Sequence, residues 1–360
     1  MIYHIFYPLA KYFFAFNVTR YITFRGGCAF ITAFLLVILF SRAFFSWLRK
    51  INMLETIDMY GRADLEKLYA GKKGTPTMGG VLMIFSITTT LLLWCRWDNY
   101  LVWLCIFTLC FLGALGLRDD MLKTRKGKGL SRREKLLGQI VVGLVLGLFI
   151  TLTKCIPTTW DFPFFKKLLF DLKDFYIFWA ALVVVATSNA VNFTDGMDGL
   201  ATGGLIFSAI IFAIFSYLVG NIKFAEYLLI PYVPSAGELT IVCLAMVGAG
   251  MGFLWYNAYP AQVFMGDVGA LSLGGMLGAI SLLIKKEFLL VMVGGLFVLE
   301  AASVVAQMFF IRVLKRRAFK AAPFHHHLQL LGWQEPKVVV RLWIVAVMCA
   351  VLSLLTLKLR

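Results

Sequence analysis

The sequence predicts an all-α polytopic membrane protein of ten transmembrane helices, with both termini on the extracytoplasmic side. Three observations carry this prediction. Hydrophobic residues make up 61% of the 360-residue chain and charged residues 15%, against about 45–50% and about 25% in soluble domains. Mean hydropathy is +0.84, and apolar runs of roughly 20 residues, enough to cross a bilayer, recur from end to end. Basic residues are also concentrated in alternate loops. These numbers exclude a soluble multi-domain chain and a disordered one.

Taken in order, residues 1–16 are aromatic but short, and suit the membrane interface better than a crossing. Spans follow at 24–48, 77–95, 100–117, 136–153, 175–190, 200–220, 237–256, 269–284, 288–312 and 338–357, within one integral membrane domain, 1–360. The connector 154–174 holds Pro157 and Pro163 and predicts a short hairpin or surface helix. The run 288–312 contains Gly294, Gly295, Glu300 and Gln307, which predicts a tilted or broken helix. No internal repeat is visible, which weighs against inverted-repeat transporters. The seven cysteines show no CxxC spacing and read as small buried hydrophobes. The N-terminus lacks a basic region followed by a small-residue cleavage site, so no removable signal peptide is expected.

Orientation follows from Lys and Arg. Ten spans leave loops 49–76, 118–135, 191–199, 257–268 and 312–337 on one side, and these hold 20 of the 35 basic residues. The positive-inside rule makes that side cytoplasmic. The formal net charge of +16 reads as topology signal and contact with anionic lipid. Nucleic acid is not an expected partner, because no soluble domain is left to bind it.

Two of these loops depart from the pattern. Loops 191–199 and 257–268 contain no Lys or Arg, yet they carry Asn192, Asp195 and Asp198 in NFTDGMDG and Asp267 in VFMGDVG. Loop 118–135 opens with Asp119 and Asp120. Alternation of the spans thus brings five carboxylates to one membrane face. Clustered carboxylates suit a hard divalent cation such as Mg²⁺, which leaves positions for water and phosphate oxygens. Nearby Lys, Arg and His would take the remaining phosphate charge. This is the chemistry of metal-assisted phosphoryl transfer between a lipid and a water-soluble substrate. The plainer readings are that Asp195 and Asp198 cap a helix, that Asp119 and Asp120 are solvated, and that Asp267 is a turn residue.

The loop Lys72-Lys73-Gly74-Thr75-Pro76-Thr77-Met78-Gly79-Gly80 offers Lys73, Thr77 and backbone groups to a phosphate, without the full P-loop pattern. Its alternative reading is a Pro-marked helix start with small residues for packing. His325, His326 and His327 are consecutive. Helical neighbours point about 100° apart, so phosphate contacts or a structured loop are favoured over a zinc site. Glu300 lies within an apolar run, and an intramembrane acid is a functional candidate with its partner still to be found.

In order, GTPTMGG (74–80), the GLRDD pair with Lys123, SNAVNFTDGMDGLA (188–201), YPAQVFMGDVG (259–269) and PFHHH…GW (323–333) resemble one family over essentially the whole chain. It is the polyprenyl-phosphate N-acetylhexosamine-1-phosphate transferases, in the muramoyl-pentapeptide branch. The resemblance implies transfer of phospho-N-acetylmuramoyl-pentapeptide from UDP-N-acetylmuramoyl-pentapeptide to undecaprenyl phosphate. The products would be lipid I and UMP, made with Mg²⁺ at the cytoplasmic face of the bacterial inner membrane by a homodimer. It implies Asp267 as metal ligand, Asp119 and Asp120 at the phosphate-acceptor end, Lys123 among the substrate-binding residues, and Asp198 and Phe264 at uracil. Asn192 and Asp195 would lie near the ribose and diphosphate, with His325, His326 and His327 near the transferred group. The alternatives are the related UDP-N-acetylglucosamine transferase and, in another class, an ion-coupled transporter. A transporter would place its acids in mid-membrane, whereas all but Glu300 fall in loops or at span ends.

Overall fold

Inside a bilayer no water satisfies backbone N–H and C=O groups, so apolar segments must bond within themselves as helices. The computed structural model describes residues 1–54, 72, 74–162 and 170–358, and the described residues are almost entirely helical. The helices are α1 (Ile2–Leu9), α2 (Ile22–Lys50), α3 (Gly80–Trp94), α4 (Tyr100–Lys126), α5 (Arg132–Thr153), α6 (Tyr176–Thr194) and α7 (Leu200–Val219). They continue with α8 (Ile222–Leu228), α9 (Leu239–Asn257), α10 (Gly266–Leu283), α11 (Glu287–Val293), α12 (Gly295–Val313), α13 (Phe324–Leu330) and α14 (Glu335–Leu355). Among the described residues nine helices are long and apolar enough to cross a membrane, so the chain is a multi-pass membrane protein.

The remaining expected span, 77–95, is the 15-residue α3. It starts late because the residues leading into it, Pro76–Gly79, turn at Met78 (φ +69°) and are bonded to a second segment: Phe264 N–H donates to Pro76 O, Gly79 N–H to Phe264 O and Gly80 N–H to Met265 O, at 2.8, 2.8 and 2.9 Å. The expected span 288–312 is broken at Gly294 into α11 and α12. Within the described part of the connector the chain pairs antiparallel: Thr159 bridges Asp171, and Trp160 N–H reaches Phe170 O at 2.8 Å.

Helix α10 is the axis of the bundle. Its sequence, GDVGALSLGGMLGAISLL, is rich in Gly, Ala and Ser, and all but its first two residues are buried. Small residues let helices approach closely where lipid gives no hydrophobic drive to associate. Helices α4, α6 and α3 pack around it. By contrast α2, α5, α12 and α14 turn Leu39, Leu152, Val305 and Leu355 outward, as lipid-facing helices should.

The sequence reading places two sets of acids differently from the structure. It puts Asp119 and Asp120 in a loop, whereas α4 continues through them to Lys126 and ends at Gly127 in the left-handed conformation. Lys123, Arg125 and Lys126 fill the last turn, where cations favour the helix dipole; a hydropathy count stops at the first charge and misses this extension. Likewise α10 begins at Gly266 rather than 269, so Asp267 lies in its first turn. At the other end of the bundle, Arg25 makes a buried two-pronged ion pair with Glu238 (2.8 and 2.5 Å). Lys285 meets Glu287 there at 2.9 Å.

Candidate active site

The site begins where α4 ends and α10 starts. Gly116 of α4 lies against the backbone of Asp267 and Val268, and a Cβ there would stand 2.5 Å from Asp267 O. Only glycine permits this approach. Three and four residues on, Asp119 and Asp120 face the start of α10, and Asp120 Oδ2 accepts the Val268 N–H at 3.2 Å. Gly266 turns with φ +72°, and a Cβ on it would meet Asp120 Oδ2 at 2.6 Å, beside Thr77 Oγ1.

Asp119, Asp120 and Asp267 thereby bring ligand oxygens within 4.8 Å of one another. Two lysines close the cluster. Lys123 Nζ lies 2.8 Å from Asp119, 2.9 Å from Asp267 and 3.8 Å from Asp120. Lys135 Nζ lies 2.6 Å from both Asp119 and Asp267. Asn192 Nδ2 donates to Asp267 Oδ1 at 2.9 Å, and Leu130 N–H to Asp119 Oδ1 at 2.6 Å. Three carboxylates against two ammonium groups leave one formal negative charge. An all-oxygen donor set of this kind fits a hard divalent cation, and it is the only candidate metal group among the described residues.

A second group lies along the same backbone. Asp198 is buried; its Oδ1 takes Lys72 Nζ at 2.6 Å, and its Oδ2 takes the Ala261 N–H at 2.9 Å. Glu335, opening α14, accepts from Lys72 Nζ at 2.5 Å and from the Asp198 N–H at 2.9 Å. The Phe264 ring lies 5.8 Å from Lys72 Nζ. Asn257 braces this region: its Oδ1 takes Gly199 N–H and Thr202 Oγ, and its Nδ2 reaches Val263 O. Asp198 is therefore no helix cap, since α7 has no side-chain cap. Asp195 ends α6 rather than starting a helix.

The three histidines diverge as their spacing predicts. His325 Nδ1 lies 3.1 Å from Glu300 Oε2, His326 Nδ1 lies 3.3 Å from Gln329 Oε1, and His327 Nδ1 takes the Lys320 N–H at 3.2 Å. They share no metal position. Lys73 lies outside the described residues. Lys72, Lys135, Asn257 and Glu335 were not singled out from sequence; their partners lie far along the chain, and only Asn257, a lone amide ending an apolar run, carried a local hint.

Comparison with known proteins settles the family. The glycosyl transferase family 4 model matches residues 102–285. A phospho-N-acetylmuramoyl-pentapeptide-transferase of Desulfotalea psychrophila is 47% identical over the whole of both chains. The chain belongs to the phospho-N-acetylmuramoyl-pentapeptide-transferase family. Members from Desulfovibrio desulfuricans and Desulfatibacillum aliphaticivorans, 47% and 48% identical, are likewise matched along their full length. The family 4 match contains all three clustered aspartates, both lysines, Asn192, Asp198 and Phe264. Lys72 and Glu335 lie outside it and join the site only through the fold; the histidines lie outside it too. Membership makes the protein a phospho-sugar transferase.

Proposed function

We propose that the protein transfers phospho-N-acetylmuramoyl-pentapeptide from UDP-N-acetylmuramoyl-pentapeptide to undecaprenyl phosphate, forming lipid I and UMP. The observation that carries this reading is the carboxylate and lysine cluster, joined by Asn192 and by the Phe264–Asp267 backbone to the Lys72–Asp198–Glu335 group. One part suits a pair of phosphates; the other suits a uracil, with Phe264 as stacking surface and Asp198 as hydrogen-bond acceptor. The basic loops support a cytoplasmic site and an inner-membrane location. The homodimer rests on the family resemblance alone.

Asp267, with Asp119 and Asp120, would hold Mg²⁺, which when bound neutralises diphosphate charge and assists UMP departure. Lys123 and Lys135 touch the same carboxylates, so they are placed to bind phosphate oxygens as those carboxylates engage the cation. A phosphate monoester has a second pKa near about 6 and is mostly dianionic at neutral pH. The lipid phosphate therefore gains little from a general base. What Asp119, Lys123 and Lys135 contribute is orientation and electrostatic compensation between two anions. We favour direct attack of the lipid phosphate on the sugar-linked phosphorus over a covalent aspartyl-phosphate. The phosphorus–oxygen bond to UMP breaks as the new one forms.

The test uses purified protein in detergent with both substrates, following UMP and lipid-linked sugar with and without Mg²⁺, for wild type and Asp267→Asn. Mg²⁺-dependent formation of both products, lost in the variant, supports the reading. Release of UMP without lipid-linked sugar overturns it, and inversion or retention at phosphorus decides between the two routes.

A further inference from the structure

Glu300 is the intramembrane acid that the sequence left without a partner, and the structure supplies one. Its Oε2 faces two groups of a single residue, the backbone N–H of His325 at 3.3 Å and the ring Nδ1 at 3.1 Å. Both side chains are fully buried. A carboxylate at Nδ1 keeps the proton on that nitrogen, in the neutral ring as in the charged one. The tautomer is thus set from α12, and Nε2 is left for another partner.

Nε2 has none among the described residues, although it is buried. It is directed at Gly196, where an added Cβ would collide with it. Gly196 lies between Asp195 and Asp198, in the segment that also carries Asn192 toward Asp267. The neighbouring His326 ring, 4.2 Å away between centroids, has its own Nδ1 on Gln329. A buried polar nitrogen without a partner is uncommon and asks for an explanation. Here it faces the loop between the two halves of the candidate site.

We infer that Glu300 is the positioning residue of His325, holding the ring so that Nε2 meets a phosphate oxygen of the nucleotide-sugar substrate beside Asp195–Asp198. The inference rests on the phospho-sugar transfer reading and deepens it. The competing role is mechanical, with the pair merely fastening α13 to α12.

A double-mutant cycle separates the two roles. Glu300→Gln keeps an oxygen acceptor and removes the charge; the loss expected is about 10–100-fold in kcat, the usual range for the partner that orients a functional imidazole. In a His325→Ala background the same change should have no further effect on kcat. Glu300→Asp should recover part of the loss. Nitrogen-15 spectra of histidine-labelled protein should show His325 protonated at Nδ1 in wild type and a tautomer mixture in Glu300→Gln. An equal loss from Glu300→Gln in both backgrounds, or wild-type kcat in the single variant, overturns the inference. A wild type that makes no lipid-linked product removes the transfer reading instead, and the spectra still decide whether Glu300 fixes the ring. If Glu300→Gln fails to fold, Glu300→Asp carries both arms of the cycle.

Discussion

Replacing Gly116 by Ala tests how tightly the carboxylate cluster depends on helix packing. The added Cβ would lie 2.5 Å from Asp267 O and 2.7 Å from Val268 Cα. Both are backbone atoms and cannot rotate aside. Ordinary contact begins at 3.4 Å, so α4 and α10 must part by about 0.9 Å. Overpacking of this kind costs about 1–3 kcal/mol. More telling is its place: Asp119 and Asp120 are about one turn beyond Gly116, and Asp267 is the residue struck. Misplacing reacting groups by about 1 Å costs about 100-fold in rate. The expected result is a kcat lower by about that factor, with the KM for the UDP substrate nearly unchanged, because Lys72 and Asp198 are held by other segments. UMP release in detergent measures both. Gly27→Ala is the control, since a Cβ there meets nothing within 4 Å. Activity within about threefold of wild type in Gly116→Ala, a fraction of the predicted loss, would refute the claim that this contact sets the cluster's geometry.

Other perturbations have equally definite outcomes. Asp119→Asn and Asp267→Asn should each weaken Mn²⁺ binding, read by paramagnetic resonance of the free ion; undiminished binding in both would remove the cluster as the metal site. Lys72→Met strips two carboxylates of their shared cation and should raise the KM for the UDP substrate at least about tenfold, a charged hydrogen bond being worth about 1.5–3 kcal/mol; an unchanged KM would dissociate Lys72 from nucleotide binding. Glu238→Leu leaves the Arg25 guanidinium buried without its partner and should destabilise the protein by about 3–5 kcal/mol. Thermal unfolding in detergent reads this directly, and an unaltered midpoint would show that the pair is dispensable.

Much of the architecture was legible because a bilayer admits few solutions. Apolar runs had to be helices, and their alternation forecast that acids as distant as Asp119 and Asp267 share one face. The contact between those two residues shows that the C-terminal end of α4 and the N-terminal start of α10 do lie together. Helix ends were less legible. The last turns of α4 are charged, and hydropathy cannot distinguish a polar helical turn from a loop; the Pro76–Gly80 segment is held by Phe264 and Met265, which are remote in sequence. The same holds for side-chain partnerships. Glu300 was conspicuous as an acid among apolar residues, but nothing near it announces His325. Lys72 and Lys73 are alike in composition, and only the structure shows Lys72 bonded to Asp198 and Glu335.

The Lys72–Asp198–Glu335 knot also bears on how the protein is made. Glu335 is the first residue of α14 and leaves the ribosome after the helices that carry the carboxylate cluster, yet it holds the Asp198 backbone and the Lys72 ammonium together. A nascent chain that has already inserted its earlier helices has the carboxylates of α4 and α10, but it lacks the clasp that closes the other half of the site. Competence therefore waits for α14, and a chain truncated before residue 335 should lodge in the membrane without a completed nucleotide pocket.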